Sequence, residues 1–206
     1  MTYLLLGYLV VVIIPLLAAS WRVSLLGLAL QGVLLGWVAL KSQSELSATT
    51  LIVVVDVGVV RGIVAPWVLQ RVLVRSNAPR RNDVIPANLF SWVLVAAIVF
   101  ASFRFATRLS LVEGGNPMHL ATVTAALLLG MFVLASQNSM FSQIVGCLRI
   151  ENAVALFELS ASAHLPALLQ LSLSVVFLLT VLLFARFLRG QLQSPQPLDA
   201  IEQPTL

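Results

Sequence analysis

The chain has 206 residues, is 60% hydrophobic and only 10% charged, and its mean hydropathy is +1.02. Those values exclude a soluble domain, and a net charge of +4 concentrated in short polar stretches excludes a nucleic-acid-binding surface. Apolar runs of about 18 residues or more recur, which predicts an all-α polytopic membrane protein with about seven transmembrane helices. The alternating ten-residue segments of a membrane β-barrel are absent. The single cysteine, Cys147, leaves no disulfide framework and no paired thiols for a metal, and beside Gly146 it reads as a small packing residue. No metal or cofactor is expected. The N-terminus lacks a basic leader before its apolar run and a small-residue cleavage site, so the first helix is expected to be retained.

The first predicted span covers residues 2–19, with Pro15 expected to kink its last turn. Ser20, Trp21 and Arg22 form a tight junction. The second span, 23–40, carries Gly32 and Gly36 four apart, a small-residue stripe for close helix contact. Gln31 beside it is expected to bond across helices, and residues 41–45 form a polar turn. The third span, 49–74, holds Asp56, Gly58, Arg61, Gly62 and Pro66. In α geometry Asp56 and Arg61 lie about 140° apart, so each should find its partner elsewhere. Pro66 frees the Gly62 carbonyl, and a plain alternative has Arg61 bonding that region or snorkelling toward the interface.

Arg71, Arg75, Arg80 and Arg81 then gather around a proline-containing loop. The fourth span, 87–107, is aromatic, with Arg104 near its far end. Residues 109–117 have a turn signature, and His119, at the start of a fifth span ending near Ala135, reads as an interfacial polar group. The sixth span, 140–163, carries Arg149, Glu151, Asn152 and Glu158. A charge at mid-membrane costs about 2.5–3.5 kcal/mol and normally marks a partner, a cavity or an ion path. Glu151 and Glu158 are seven apart and share a face, two stacked stations for a proton or cation. Arg149 lies about 200° round the helix from Glu151 and is not its simple ion-pair partner. The alternative is that both glutamates hold neighbouring subunits. Residues 162–166 form a turn, and a seventh span reaches Phe187. Residues 1–190 thus form one transmembrane domain, and 191–206 read as a disordered tail.

The chain resembles component E of hydrogenase-4, a membrane subunit of formate hydrogenlyase-type complexes. The likeness is carried by Ser136-Gln-Asn, Gln143-Ile-Val-Gly146 and Glu151-Asn152, with weaker marks at Trp21-Arg22-Val-Ser24, Gln31, and Arg61 five residues before Pro66. The family's last three helices, about 118–189 here, are similar to the small K-type subunit of respiratory complex I. The resemblance implies a multi-pass subunit of a bacterial or archaeal cytoplasmic membrane, without a catalytic centre of its own. It would sit beside antiporter-like subunits of a complex I-like assembly, with membrane lipid around it. Relatives commonly have lysine where this chain has Arg61, acids where it has Gln170 and Val176, and apolar residues at Glu158. Other readings are an inert scaffold of such an assembly and a free-standing carrier. The absence of matched broken helices in two halves counts against the carrier.

With the arginine loop inside, Arg22, Arg71, Arg75, Arg80, Arg81, Arg186 and Arg189 face the cytoplasm against Lys41 and Arg108 outside. That puts the N-terminus outside and the C-terminus inside. In a Cys147→Ser background, Ser76→Cys and Gln193→Cys should be shielded from an impermeant thiol reagent in intact cells. Ser44→Cys and Gly115→Cys should be labelled, and the opposite pattern reverses the orientation.

Overall fold

A computed structural model describes residues 2–17, 20–42, 48–75, 89–113, 116–137, 139–161 and 167–193. All seven described segments are helical, and none contains a strand. Helix α1 is Thr2–Leu17 and α2 is Trp21–Ser42. The third rod is continuous: α3 (Ala48–Val55), a π-helix (Asp56–Val64) and α4 (Ala65–Arg75). Then come α5 (Leu89–Glu113), α6 (Pro117–Ser136), α7 (Met140–Ala161) and α8 (Ala167–Gln193). Six of the rods are long and apolar enough to cross a bilayer. Helix α1, at 16 residues, is a shorter apolar helix of about 24 Å. The chain is therefore a polytopic helical membrane protein.

Several element ends differ from the sequence expectation. Helix α5 runs on to Glu113, because Leu109–Leu111 continue its apolar helix, so residues 109–113 of the predicted turn are helical. Asn116 caps α6, accepting hydrogen bonds from the backbone N–H groups of Met118 and His119 at 3.0 and 3.4 Å, with Pro117 opening the helix. Residues 191–193, assigned to the tail, are the last turn of α8. Lys41 and Ser42 belong to α2 rather than to a turn. The loop carrying Arg80 and Arg81, the turn at 162–166 and residues 194–206 lie outside the described residues.

The π-helix changes the register of the third rod. The Ala65 N–H donates to the carbonyl of Val60, a step of five residues. The next residue, Pro66, has no N–H with which to continue the wide ladder, and the chain returns to α geometry. Burial follows the same slip. Asp56 and Val57 are buried, then Arg61 and Gly62 five residues on, then Ala65, Pro66, Leu69 and Leu73 at steps of four.

Helices α2 and α7 occupy the middle. Helix α1 packs on α2 and α6, α5 packs on α6, and α8 lies mainly along α4. The third rod runs antiparallel to α2 along the predicted glycine stripe. A Cβ on Gly32 would collide with the backbone of Gly62, and one on Gly36 would come within 2.9 Å of the Gly58 Cα. Gly130 and Gly146 perform the same service between α6 and α7, where a Cβ on Gly146 would reach 3.1 Å from the Leu134 nitrogen. In lipid such close approach replaces the hydrophobic effect as the source of association, through dispersion between surfaces in contact.

Two apolar clusters result, and three rods pass from one to the other. Leu25 and Leu28 of α2 belong to one, Leu35 and Val38 to the other, with Gln31 between. On the third rod, Arg61 separates Val57 from Ala65, Leu69 and Leu73; on α7, Arg149, Glu151 and Asn152 separate Leu148 from Ala153. The side chains at each crossing are polar, so a polar layer lies midway along these helices.

Gly32→Ala puts a methyl group against backbone that cannot yield, an overpacking cost of about 1–3 kcal/mol or more. The purified variant should melt about 5–10 °C below wild type. Gly7→Ala, where a Cβ meets nothing within 4 Å, should not. Equal melting of the two variants would remove the glycine contact as a structural determinant.

Candidate functional site

The polar layer centres on Arg61, which is 6% exposed. Its Nη1 donates to the main-chain carbonyl of Glu151 at 3.2 Å, and its guanidinium lies 4.2 Å from the centroid of the Phe177 ring. The first bond, to a charged donor, stabilises by about 1.5–3 kcal/mol. The second contact, in a desolvated setting, contributes about 2 kcal/mol. Through them the third rod, α7 and α8 are fastened at one point. The alternative sequence expectation, that Arg61 would bond the carbonyl region freed by Pro66 or snorkel, is corrected: it crosses to the neighbouring helix.

Asp56 is also 6% exposed. In α geometry it would face away from Arg61, but a π-helical step of five brings residues 56 and 61 to the same side. The π-helix thus turns the two residues toward one side, while the expectation that Arg61 finds its partner elsewhere holds, since it bonds the Glu151 carbonyl. Of the acids acting on the Arg61 charge, Asp56 acts most strongly, then Glu151, then Glu158. Arg61 thus stands in the field of three carboxyl groups carried by two helices, and a second buried cation, Arg149, shares the layer.

Glu151 and Glu158 are half-buried, and with Cys147 they form a partly open stripe along α7. Arg149 is on the other side of α7, 3% exposed, and its charge and that of Arg61 both act on Tyr8. Asn152 is fully buried, and its Nδ2 approaches the Oε1 of Gln31 at 3.5 Å, the long limit of a hydrogen bond. Gln31 therefore bridges helices as its position in the sequence suggested. His119 is buried within the protein, with Nε2 2.9 Å from the Leu156 carbonyl, because the start of α6 packs against α7.

The layer is incompletely satisfied. Tyr8 Oη, Gln31 Nε2, Asp56 Oδ1, Arg61 Nε and Asn152 Oδ1 are all buried without a hydrogen-bond partner. Each such group costs about 1–3 kcal/mol when left unmade. Among the described residues no three His, Cys, Asp or Glu side chains converge as a metal site. The chemistry this arrangement suits is the holding and passing of a proton or a monovalent cation among carboxyl, amide and phenol groups beside a fixed positive charge.

Tyr8 and Phe177 were not singled out in the sequence. Of the two phenols in the first span, Tyr3 and Tyr8, the second lies well inside the apolar run, which was a usable signal. Nothing distinguished Phe177 from the chain's other phenylalanines. No protein-family model, curated protein or solved structure matches the chain.

Arg61→Ala removes both cross-helix contacts, which should destabilise the chain by about 3–5 kcal/mol. Arg61→Lys keeps the charge but loses the planar fork and ring stacking, and should cost about half of that. Thermal unfolding of the purified variants orders them. A wild-type midpoint for the alanine variant would mean that Arg61 does not hold the layer together.

Proposed function

We propose that the chain is a non-catalytic membrane subunit of a complex I-like assembly of hydrogenase-4 or formate hydrogenlyase type. Its intramembrane carboxyl groups contribute to proton or sodium movement beside antiporter-like subunits. The observation that carries this reading is the clustering midway along the helices of buried Arg61, Arg149 and Asp56 with half-buried Glu151 and Glu158. A carboxyl group inside a bilayer costs least when a proton or another cation accompanies it, which suits such groups to carrying one. The orphaned polar atoms of Tyr8, Gln31 and Asn152 add hydrogen-bonding capacity that neighbouring side chains do not use. The partial exposure of Glu151 and Glu158 gives that charge a way in from the surface of α7. The resemblance of the motifs around Ser136, Gln143 and Glu151-Asn152 to hydrogenase-4 component E supports the choice of assembly. In this reading the arginine-bearing end faces the cytoplasm.

A second reading is a scaffold whose buried charges only fasten helices and neighbours. One observation favours it. Arg61 donates to the main chain of Glu151 rather than to a carboxylate, and this is how a static tie is made.

The two readings separate at Glu151. Glutamine preserves size and hydrogen bonding but neither holds nor releases a proton near neutral pH. The Arg61 bond goes to the backbone, so it survives the substitution. Glu151→Gln should leave the assembly intact and remove most of the ion translocation per turnover. Glu151→Asp should retain part of it, and Glu158→Gln should be milder. The measurement is pumping per turnover in reconstituted vesicles, with subunit content determined on the same sample. An assembled glutamine variant that pumps at the wild-type ratio establishes the scaffold.

A further inference from the structure

Far from the polar layer, the arginines gather at one end of the molecule. The antiparallel glycine contact between α2 and the third rod puts Arg22 at the same end as Arg71 and Arg75. A groove between α4 and α8, lined by Val72, Ala185, Arg186, Arg189 and Gly190, brings two more to it. Arg22 and Arg71 lie against their own helices' tryptophans, 5.4 Å from the Trp21 ring and 4.0 Å from the Trp67 ring. Tryptophan at this level marks the membrane–water interface. Arg186 and Arg189 are exposed, three residues apart on one side of α8, and fall in the last turn of a span that ends at Gly190. The floor is open, since a Cβ on Gly190 would meet nothing within 4 Å.

The same face of α8 continues into the membrane as an apolar track. Val175, Leu179 and Leu182 precede Arg186 and Arg189 at alternating steps of four and three, and all three are exposed. Val175 to Arg186 covers about 16 Å of helix, which is the depth of one leaflet of a hydrocarbon core about 30 Å thick. An exposed apolar stripe one leaflet long, headed by two guanidinium groups at the mouth of a groove, mirrors the layout of a phospholipid. Guanidinium groups take phosphate oxygens in a bidentate fork, and basic pockets between membrane helices bind anionic headgroups.

We propose that the groove between α4 and α8 binds the phosphate-bearing headgroup of an anionic phospholipid, with Arg186 and Arg189 on the phosphate and an acyl chain along Val175, Leu179 and Leu182. The ligand chemistry is a phosphate ester, and the lipid rather than a free phosphate is its source because the track requires a chain.

The test is native mass spectrometry of the full chain in detergent, titrated with diphosphatidylglycerol, phosphatidylcholine or inorganic phosphate. The wild-type chain should retain diphosphatidylglycerol in preference to phosphatidylcholine. Each cation near a membrane surface is worth a factor of about five in affinity, so Arg186→Gln with Arg189→Gln should weaken retention about 25-fold. Arg22→Gln, at the same end but outside the groove, should leave it unchanged. Arg189→Gln alone, with about a five-fold loss, serves if the double variant does not fold. Undiminished retention in the groove variants, an equal loss in Arg22→Gln, or equal binding of the two lipids overturns the proposal. Displacement of the lipid by millimolar inorganic phosphate identifies a small-anion site and overturns it as well.

Discussion

An arginine at the centre of a membrane span costs about 2.5–3.5 kcal/mol unless something takes up its charge. In this chain the arrangement that takes it up determines much of the bundle. Arg61 is buried among the third rod, α7 and α8, with a carbonyl of α7 and the ring of Phe177 against its guanidinium. Asp56 supplies the strongest opposing charge from within the same rod. That alignment depends on the π-helix, and the π-helix ends where Pro66 withdraws the donor its ladder would need next. The backbone register, the proline and the buried ion are thus one structural unit. The glycines at 58 and 62, within that register, let it lie against α2.

The two apolar clusters follow from the same unit. A charged centre cannot be packed through, so α2, the third rod and α7 each change cluster where they pass it. Gln31 and Asn152 occupy the crossing on α2 and α7, where an aliphatic residue would face unsatisfied polar atoms. Among the described residues the layer also gathers buried charged and amide side chains of several helices. Away from it, the outward surfaces of α5 and α8 present Phe90, Val93, Phe100, Leu179 and Leu183 to their surroundings.

Much of this was legible in the sequence, and the reasons for the rest are physical. Apolar runs and their interruptions fixed the helices, since a membrane span has few alternatives. Gly32 and Gly36 announced a close contact through a four-residue spacing that survives in the structure. Glu151 and Asn152 stood out because charge and amide are costly where they occur. The shared side of Asp56 and Arg61 was hidden, because a period of 3.6 residues sets them apart and residue preferences do not write a π register. The ends of α5 and α8 were hidden for a different reason. Leu109–Leu111 and Gln191–Gln193 extend helices already formed, at little cost, beyond the turn signals that follow. Phe177 was invisible, since its distinction lies in what another helix brings to it.

The glycine contact between α2 and the third rod also bears on how such a chain can diverge. Main chain meets main chain at Gly32 and Gly62, so there is no side chain there to exchange for a slightly larger one. Gradual repacking, the usual route by which cores drift, is closed at that seam. A change on one rod is tolerated only with a displacement of the other, and a displacement moves Arg61 with it. Sequence variation among descendants of this chain is therefore expected to accumulate on α5 and the outer face of α8, while the α2 seam passes unaltered from one lineage to the next.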